Sequence, residues 1–327
     1  MLLKFFKSST PEILVAIIAM SFLIWAKSIF SSQLFSFDFD SYPMPLYVLI
    51  KNLMGGNILI EKIIALIITI ASALYLIQLN TKHILIKYRT YLPALLYILF
   101  ASSFVPLQRI NPAVFASPFL ILAIDNLLSS YENKNPLDRF FKASFLIALG
   151  SLIYLPLGVF IILVYISLII LNNNGIRQWL TVLFGFITPW LLALIYYFVW
   201  HSSPEMLFTI VSHALAPIGI IGYYGLAFTV FYSFVSFLLL ISLFFLLGNL
   251  PTQKINIRKY YSLFIWMGLF SAVIALFIAF SSIEIVYLAA IPSTFVIANY
   301  FTFAKSKFWS ELFFSILLIL TALVQFL

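Results

Sequence analysis

The sequence predicts an all-α fold, a polytopic helical membrane protein with about 11 transmembrane helices. Apolar residues make up 64% of the 327 residues and charged residues only 9%, which leaves too few polar side chains to cover a water-soluble globule of this size. The apolar runs are also long enough to cross a bilayer. The predicted spans are 13–30, 59–79, 91–104, 113–128, 141–154, 157–171, 179–199, 227–247, 261–280, 285–303 and 308–327.

The positions of the 18 lysine and arginine residues predict the orientation of these spans. With a cytoplasmic N-terminus, 14 of them fall in cytoplasmic segments and four, Lys27, Lys51, Lys62 and Arg109, on the other side. Cytoplasmic loops of membrane proteins carry such an excess of cations. We therefore expect a cytoplasmic N-terminus and an outer C-terminus. The formal charge of +8 then reflects these flanks, so we expect membrane lipids and no nucleic acid as partners.

Residues 207–226 are apolar but interrupted by Pro217, Gly219, Gly222 and Gly225. Counting them as a full span would invert everything that follows and divide the cations 9 against 9. We therefore interpret them as a re-entrant or interfacial element on the outer side. Backbone that leaves the helix at membrane depth must be buried in protein or line a polar cavity. The chain is then one membrane domain, with residues 1–200 holding the first seven spans and residues 201–327 holding this element and four more spans.

The loop after the first span carries two carboxylates, Asp38 and Asp40, followed by a short amphipathic segment introduced by Pro43 and Pro45. Within that segment the apolar residues recur at i, i+3, i+4 and i+7, which indicates a helix lying in the membrane interface. Those four residues are Leu46, Leu49, Ile50 and Leu53. The outer side also receives the remaining candidate site residues: Arg109, His201, Glu205, His213, Tyr223 and Glu284.

The centres of the spans contain almost no ionisable residues, although such residues usually mark ion or proton pathways. Their absence argues against a transporter or channel. Asp125 and Glu311 fall at cytoplasmic ends of spans, where they are expected to snorkel or to be paired. The chain has no cysteine, which excludes disulfides and thiolate metal ligands.

The order of a first span, an acidic outer loop with an interfacial helix, and paired spans resembles the GT-C superfamily of integral-membrane glycosyltransferases. The outer loop 104–112 and the following residues 112–123 also resemble that GT-C-like module. Three local runs, 89–93, 145–156 and 184–189, are similar to an uncharacterised Bacteroidota family of multi-pass proteins.

The GT-C resemblance implies transfer of a sugar from a polyprenyl-phosphate donor at the outer face of the bacterial inner (plasma) membrane. Asp38 and Asp40 would act as the catalytic base or hold a divalent metal, because a carboxylate can deprotonate an acceptor hydroxyl. Arg109 would bind the donor phosphate with its planar guanidinium. The Asp-Phe-Asp spacing is closer to members that use a metal than to members with an adjacent acidic pair.

Each candidate residue also has an ordinary structural interpretation. Asp40 can cap the interfacial helix, and Arg109 can snorkel to lipid headgroups. Glu284 can cap a helix or face water in a very short outer turn. The pair His201 and Glu205, with His213, can supply metal ligands or simply form a polar rim. Tyr223 can stack on a sugar or belong to the interfacial aromatic belt.

Two function classes stay open beside a transporter, which fits least. One is a glycosyltransferase acting on a lipid-linked sugar. The other is a non-enzymatic structural subunit with a degenerate GT-C-like fold. Such a subunit would support a cell-envelope complex for secretion, polymer export or motility, and its partners would be envelope proteins. A glycosyltransferase needs Asp38 and Asp40, whereas a structural subunit tolerates their loss.

Overall fold

Helices account for every regular element in the computed structural model, which describes residues 2–31, 43–131, 135–201, 205–215, 225–277 and 283–326. The α-helices in chain order are α1 (Leu2–Lys7), α2 (Pro11–Phe30), α3 (Pro45–Leu53), α4 (Ile58–His83), α5 (Leu92–Ser102), α6 (Pro112–Ser130), α7 (Leu137–Ser151), α8 (Ile161–Ile170), α9 (Ile176–His201), α10 (Glu205–Leu215), α11 (Leu226–Asn249), α12 (Ile255–Phe277), α13 (Val286–Phe303) and α14 (Lys307–Phe326). Short 3₁₀-helices occupy Val105–Leu107, Leu155–Phe160, Leu250–Thr252 and Ile283–Ile285.

Among the described residues, seven helices are long and apolar enough to cross a membrane, namely α2, α4, α6, α9, α11, α13 and α14. Their length and composition indicate a membrane protein. The other four predicted spans coincide with α5, α7, α8 and α12. Helix α5 has 11 residues and reaches about 16 Å, roughly half of the hydrocarbon core. The expected count of about 11 spans accordingly stays a prediction.

The two ends of the bundle are distinguished by the contacts of α14. At one end, the backbone N–H of Leu3 donates to Glu311 Oε1 over 3.3 Å, so α1 lies beside the start of α14. We call this the basic end. At the other end, Gln325 Nε2 donates to the carbonyl oxygen of Ser103 over 2.5 Å, next to the loop that carries Arg109. We call this the Arg109 end.

Helices α6 and α7 form an antiparallel hairpin, since Arg139 Nη1 donates to Asn126 Oδ1 over 3.2 Å close to the turn. Helix α9 then packs parallel to α7, with Trp190 Nε1 donating to Ser151 Oγ over 3.0 Å. Helix α9 therefore ends at the Arg109 end. Helix α11 begins at the same end, where Tyr232 OH donates to the carbonyl oxygen of Phe100 over 2.9 Å. The expected re-entrant element, 207–226, starts within α10, and residues 216–224 lie outside the described part of the chain.

The centre of the bundle is formed by α5 and α13, which pack against each other. All 11 residues of α5 are buried, and so are 78% of the span that contains α13. A helix that is apolar on every side gains most from burial within protein. This explains why so short a helix can occupy the middle of a membrane bundle.

The predicted interfacial helix is present as α3, with Pro45 at its first position, where the missing N–H of proline costs nothing. Pro45 and Tyr47 are buried, and Leu46 and Ile50 of the predicted apolar face are partly buried against the core of the bundle. In contrast, Leu49 is 47% and Leu53 87% exposed, so part of the predicted apolar face points away from the protein. Such a face suits lipid.

Candidate functional site

Both predicted catalytic residues, Asp38 and Asp40, lie outside the described part of the chain. So does Tyr223, which was predicted to line the site. The side chains of His201, in the last position of α9, and His213, in α10, also lie outside it. The structure therefore leaves their roles as predictions. Of the predicted site residues it describes the side chains of Arg109, Glu205 and Glu284.

Arg109 lies in a loop between α5 and α6 that is fixed by its own side chains. Asn111 Oδ1 accepts a hydrogen bond from the backbone N–H of Val114 over 2.9 Å and so caps α6. Gln108 is fully buried, and its Nε2 donates to the carbonyl oxygens of Ser102 and Ile24 over 2.6 and 3.2 Å. The loop is thus tied to α2 as well as to its own ends.

Three helices donate hydrogen bonds to the backbone of the same loop. Ser28 Oγ donates to the carbonyl oxygen of Gln108 over 2.9 Å, and Tyr287 OH to that of Leu107 over 2.9 Å. Tyr47 OH donates to the carbonyl oxygen of Ile110 over 3.4 Å. Gln108 and Ile110 are both buried, whereas Arg109 between them is partly exposed, with its Nε buried. A hydrogen-bonded turn therefore carries one cation that is partly accessible from the surface.

The two described carboxylates of the predicted site differ sharply in exposure. Glu284 is 1% exposed and lies in the 3₁₀-helix Ile283–Ile285, which packs against α6, α12 and α13. Glu284 therefore does not face water, which was one of its two structural interpretations from the sequence. Glu205, at the start of α10, is exposed. Glu284 and Arg109 lie at the same end of the bundle. The 3₁₀-helix that carries Glu284 contacts α6, and Arg109 lies in the loop just before α6.

A buried lysine occupies the Arg109 end as well. Lys62 is 4% exposed, and its Nζ donates to the carbonyl oxygens of Ser28 and Ser31 over 2.5 and 2.7 Å. These carbonyls close α2, where a helix has no internal donors left. A cation at this position also opposes the negative end of the helix dipole. Lys62 therefore caps the C-terminal end of α2.

No group of three or more histidine, aspartate or glutamate residues able to hold a metal ion occurs among the residues that the structure describes. The metal expected from the Asp-Phe-Asp spacing involves Asp38 and Asp40, which are not among them. Metal dependence accordingly stays a prediction.

The most extensive ionic contact in the described residues lies at the basic end, at Asp125 of α6. Its Oδ1 and Oδ2 both lie 2.8 Å from Lys82 Nζ, and Oδ1 lies 2.7 Å from His83 Nε2. Tyr75 OH donates to Oδ2 over 2.9 Å. Three side chains from α4 thus converge on one carboxylate of α6. We call these four residues the Asp125 cluster.

The Asp125 cluster is closed from the side by α12. The His83 side chain is 2% exposed, and its ring lies 5.8 Å from that of Tyr260 in an edge-to-face arrangement. The sequence predicts that Asp125 snorkels or is paired, but it does not identify the partners. The signal was available, because Lys82 and His83 follow the predicted span 59–79 and Asp125 lies at the cytoplasmic end of another predicted span, 113–128.

Comparison with known proteins gives one match. A family model described as a family of unknown function (DUF6427) matches residues 12–327. No curated protein and no solved structure matches the chain. The match extends from the start of α2 to the last residue, so the chain belongs to the DUF6427 family.

Proposed function

We propose that the Arg109 end binds a polyprenyl-phosphate-linked sugar and transfers the sugar at the outer face of the bacterial inner membrane. The observation that supports this is the partly exposed residue Arg109, whose Nε is buried, on a loop whose neighbouring residues are buried and hydrogen-bonded. A guanidinium matches two phosphate oxygens with parallel hydrogen bonds. Because the loop is already ordered, little conformational entropy is lost when the phosphate binds.

In this proposal Asp38 and Asp40 supply the chemistry. One carboxylate removes the proton of the acceptor hydroxyl as that hydroxyl attacks the sugar. Arg109 stabilises the negative charge that remains on the leaving phosphate. The ammonium group of Lys62 donates to backbone carbonyls at the end of α2. In this proposal Lys62 therefore positions the start of the loop and does not bind phosphate.

The first experiment measures binding of a polyprenyl monophosphate to the purified full-length protein in detergent. Arg109→Ala should weaken binding about 10- to 100-fold, which corresponds to the loss of a hydrogen bond to a charged group. Arg109→Lys should recover part of it. The control is Lys27→Ala, since Lys27 is an exposed cation in the last turn of α2 at the same end. Equal binding by Arg109→Ala and Lys27→Ala would refute the role of Arg109.

The second experiment separates chemistry from binding. Asp38→Asn and Asp40→Asn, made singly and together, should abolish sugar transfer and leave polyprenyl-phosphate binding unchanged. Transfer that survives the double substitution would refute the catalytic assignment.

A non-enzymatic subunit of an envelope complex is the second candidate. This candidate is favoured by the buried side-chain amides at the Arg109 end. Gln108 and Gln325 are hydrogen-bonded to each other and to backbone carbonyls of the chain itself. Such contacts stiffen a fold without serving a substrate. A subunit of this kind should co-purify with an envelope protein in fixed ratio, and the double substitution of Asp38 and Asp40 should leave its cellular role intact.

The proposed orientation places the Arg109 end outside and the N-terminus in the cytoplasm. The chain has no cysteine, so single cysteines can be introduced as reporters. With intact cells and a thiol reagent that does not cross membranes, Lys27→Cys should react and Lys307→Cys should not. The opposite pattern would place the Arg109 end inside the cell and overturn the proposed outer-face reaction.

A further inference from the structure

The basic end gathers six cations from three segments of the chain. Helix α1 contributes two of them, the loop between α4 and α5 two, and the connection from α13 into α14 two. All but one are exposed, and the remaining one, Lys7, is partly buried. The six are Lys4, Lys7, Lys87, Arg89, Lys305 and Lys307. We call them the basic patch.

Packing of apolar side chains brings these segments together. The ring of Phe6 lies 5.8 Å from that of Phe314, so α1 lies against α14. On the other side, the ring of Tyr88 lies 5.7 Å from that of Phe303, two residues before Lys305. The patch is therefore held by the folded bundle.

The protein leaves the charge of the patch almost unneutralised. In the described part of the chain, none of the six cations forms an ion pair or donates a side-chain hydrogen bond. Other cations of the basic end do so, since Lys82 is paired with Asp125 and Lys142 with Asp138. Glu311 lies near Lys7 and accepts from the backbone N–H of Leu3, and Glu12 is exposed at the start of α2.

Lys7 is the partly buried member of the patch, and burial disfavours its charged form. Burial lowers the pKa of Lys7 from its ordinary value of 10.5. The nearby Glu311 raises that pKa and Lys307 lowers it, and the net shift is downward. Burial is therefore the main cause of the lowered pKa, and an anion bound beside Lys7 would offset that cost.

Aromatic side chains surround the patch. Phe5 is 48%, Tyr88 58%, Phe308 68% and Trp309 52% exposed. Exposed aromatic residues next to a membrane-spanning helix such as α14 are typical of the level of lipid headgroups. This pattern is consistent with a patch at the height of the bilayer phosphates.

We propose that the basic patch is a binding site for the phosphate headgroups of anionic phospholipids in the leaflet that borders the basic end. Lysines close to a membrane surface are attracted by anionic lipids, and each adds to the affinity. The aromatic rings beside them enter the boundary between headgroups and acyl chains. The site is at the opposite end from Arg109 and does not depend on the proposed sugar transfer.

The experiment uses Trp309 as a reporter within the patch. The full-length protein in a mild detergent is titrated with phosphatidylglycerol or phosphatidylcholine carrying brominated acyl chains, which quench tryptophan fluorescence on contact. Trp309→Phe gives the share of quenching that other tryptophans contribute. The wild-type protein should bind phosphatidylglycerol more tightly than phosphatidylcholine, and Trp309→Phe should lose most of the quenching at low lipid concentration.

The double substitution Lys7→Gln with Lys307→Gln should weaken phosphatidylglycerol binding about 30-fold, roughly fivefold for each lysine, and leave phosphatidylcholine binding unchanged. The matched control is Lys142→Gln with Arg177→Gln, which removes two cations from the same end outside the patch. Thermal unfolding of each variant verifies that it is folded. Equal binding of both lipids by the wild-type protein would overturn the proposal and leave an acidic protein as the partner of the patch. An equal loss in the control pair would also overturn it, because general surface charge would then account for the binding.

Discussion

Replacing Asp125 with asparagine should be among the most destabilising conservative substitutions in the described part of the chain. The carboxylate receives three side chains of α4 within 2.7–2.9 Å, and the His83 side chain is only 2% exposed. Asparagine retains the size of the side chain but removes the charge and turns an NH₂ group towards the donors. Removing one partner of a buried ion pair costs about 3–5 kcal/mol. The Lys82–Asp125 pair contributes little to this loss of stability, because the Lys82 side chain is 44% exposed and exposed pairs contribute at most about 1 kcal/mol.

We therefore expect Asp125→Asn to lower the free energy of unfolding by about 3 kcal/mol, measured by unfolding in mixed micelles of increasing denaturing-detergent content. His83→Gln should cost about 1.5–3 kcal/mol and Lys82→Gln less than about 1 kcal/mol. Asp138→Asn is the control, because it breaks an i,i+4 pair in which both side chains are more than half exposed. If Asp125→Asn and Asp138→Asn have equal effects, the cluster does not hold α4 to α6.

Lys62→Met should destabilise the protein by about 1–3 kcal/mol, because it leaves the two carbonyl oxygens that end α2 without a donor, whereas Lys27→Met at an exposed position should have little effect. Both are measured by the same unfolding titration, and equal losses would contradict the capping role. Gly185→Ala should cost about 1–3 kcal/mol, since the added Cβ would meet the side chain of Ser144 where α9 crosses α7. Gly268→Ala, in an open position of α12, should instead gain about 0.5–1 kcal/mol. No loss of stability in Gly185→Ala would mean that helix packing at Gly185 is looser than it is in the structure.

The sequence was sufficient to locate the helices, because apolar runs and turn residues are local properties. All 11 predicted spans coincide with helices, and the proline at position 45 marks the start of α3 as expected. The length of α5 was overestimated, since Phe104 is as apolar as the residues before it. What ends α5 is the loop that follows, whose backbone is bonded to other helices.

The polar contacts were much harder to predict than the helices. The partner of Lys62 is the backbone of α2, and any residue type at positions 28 and 31 offers the same carbonyl oxygen. The pairing of Asp125 with His83 depends on which helices become neighbours, and apolar sequences that face lipid or protein look alike. For the predicted catalytic residues Asp38 and Asp40, the only support still comes from their spacing and from the topology of the first loop.

The full burial of α5 has a consequence for how the protein is made. Eleven residues are too few to remain in a bilayer alone, and the helix that covers them, α13, is synthesised almost 200 residues later. During that interval α5 is covered by α4 and α2. Ribosome-bound chains that stop before residue 286 should therefore retain an accessible, protease-sensitive segment around Leu92–Ser102, which becomes protected only when α13 has entered the membrane.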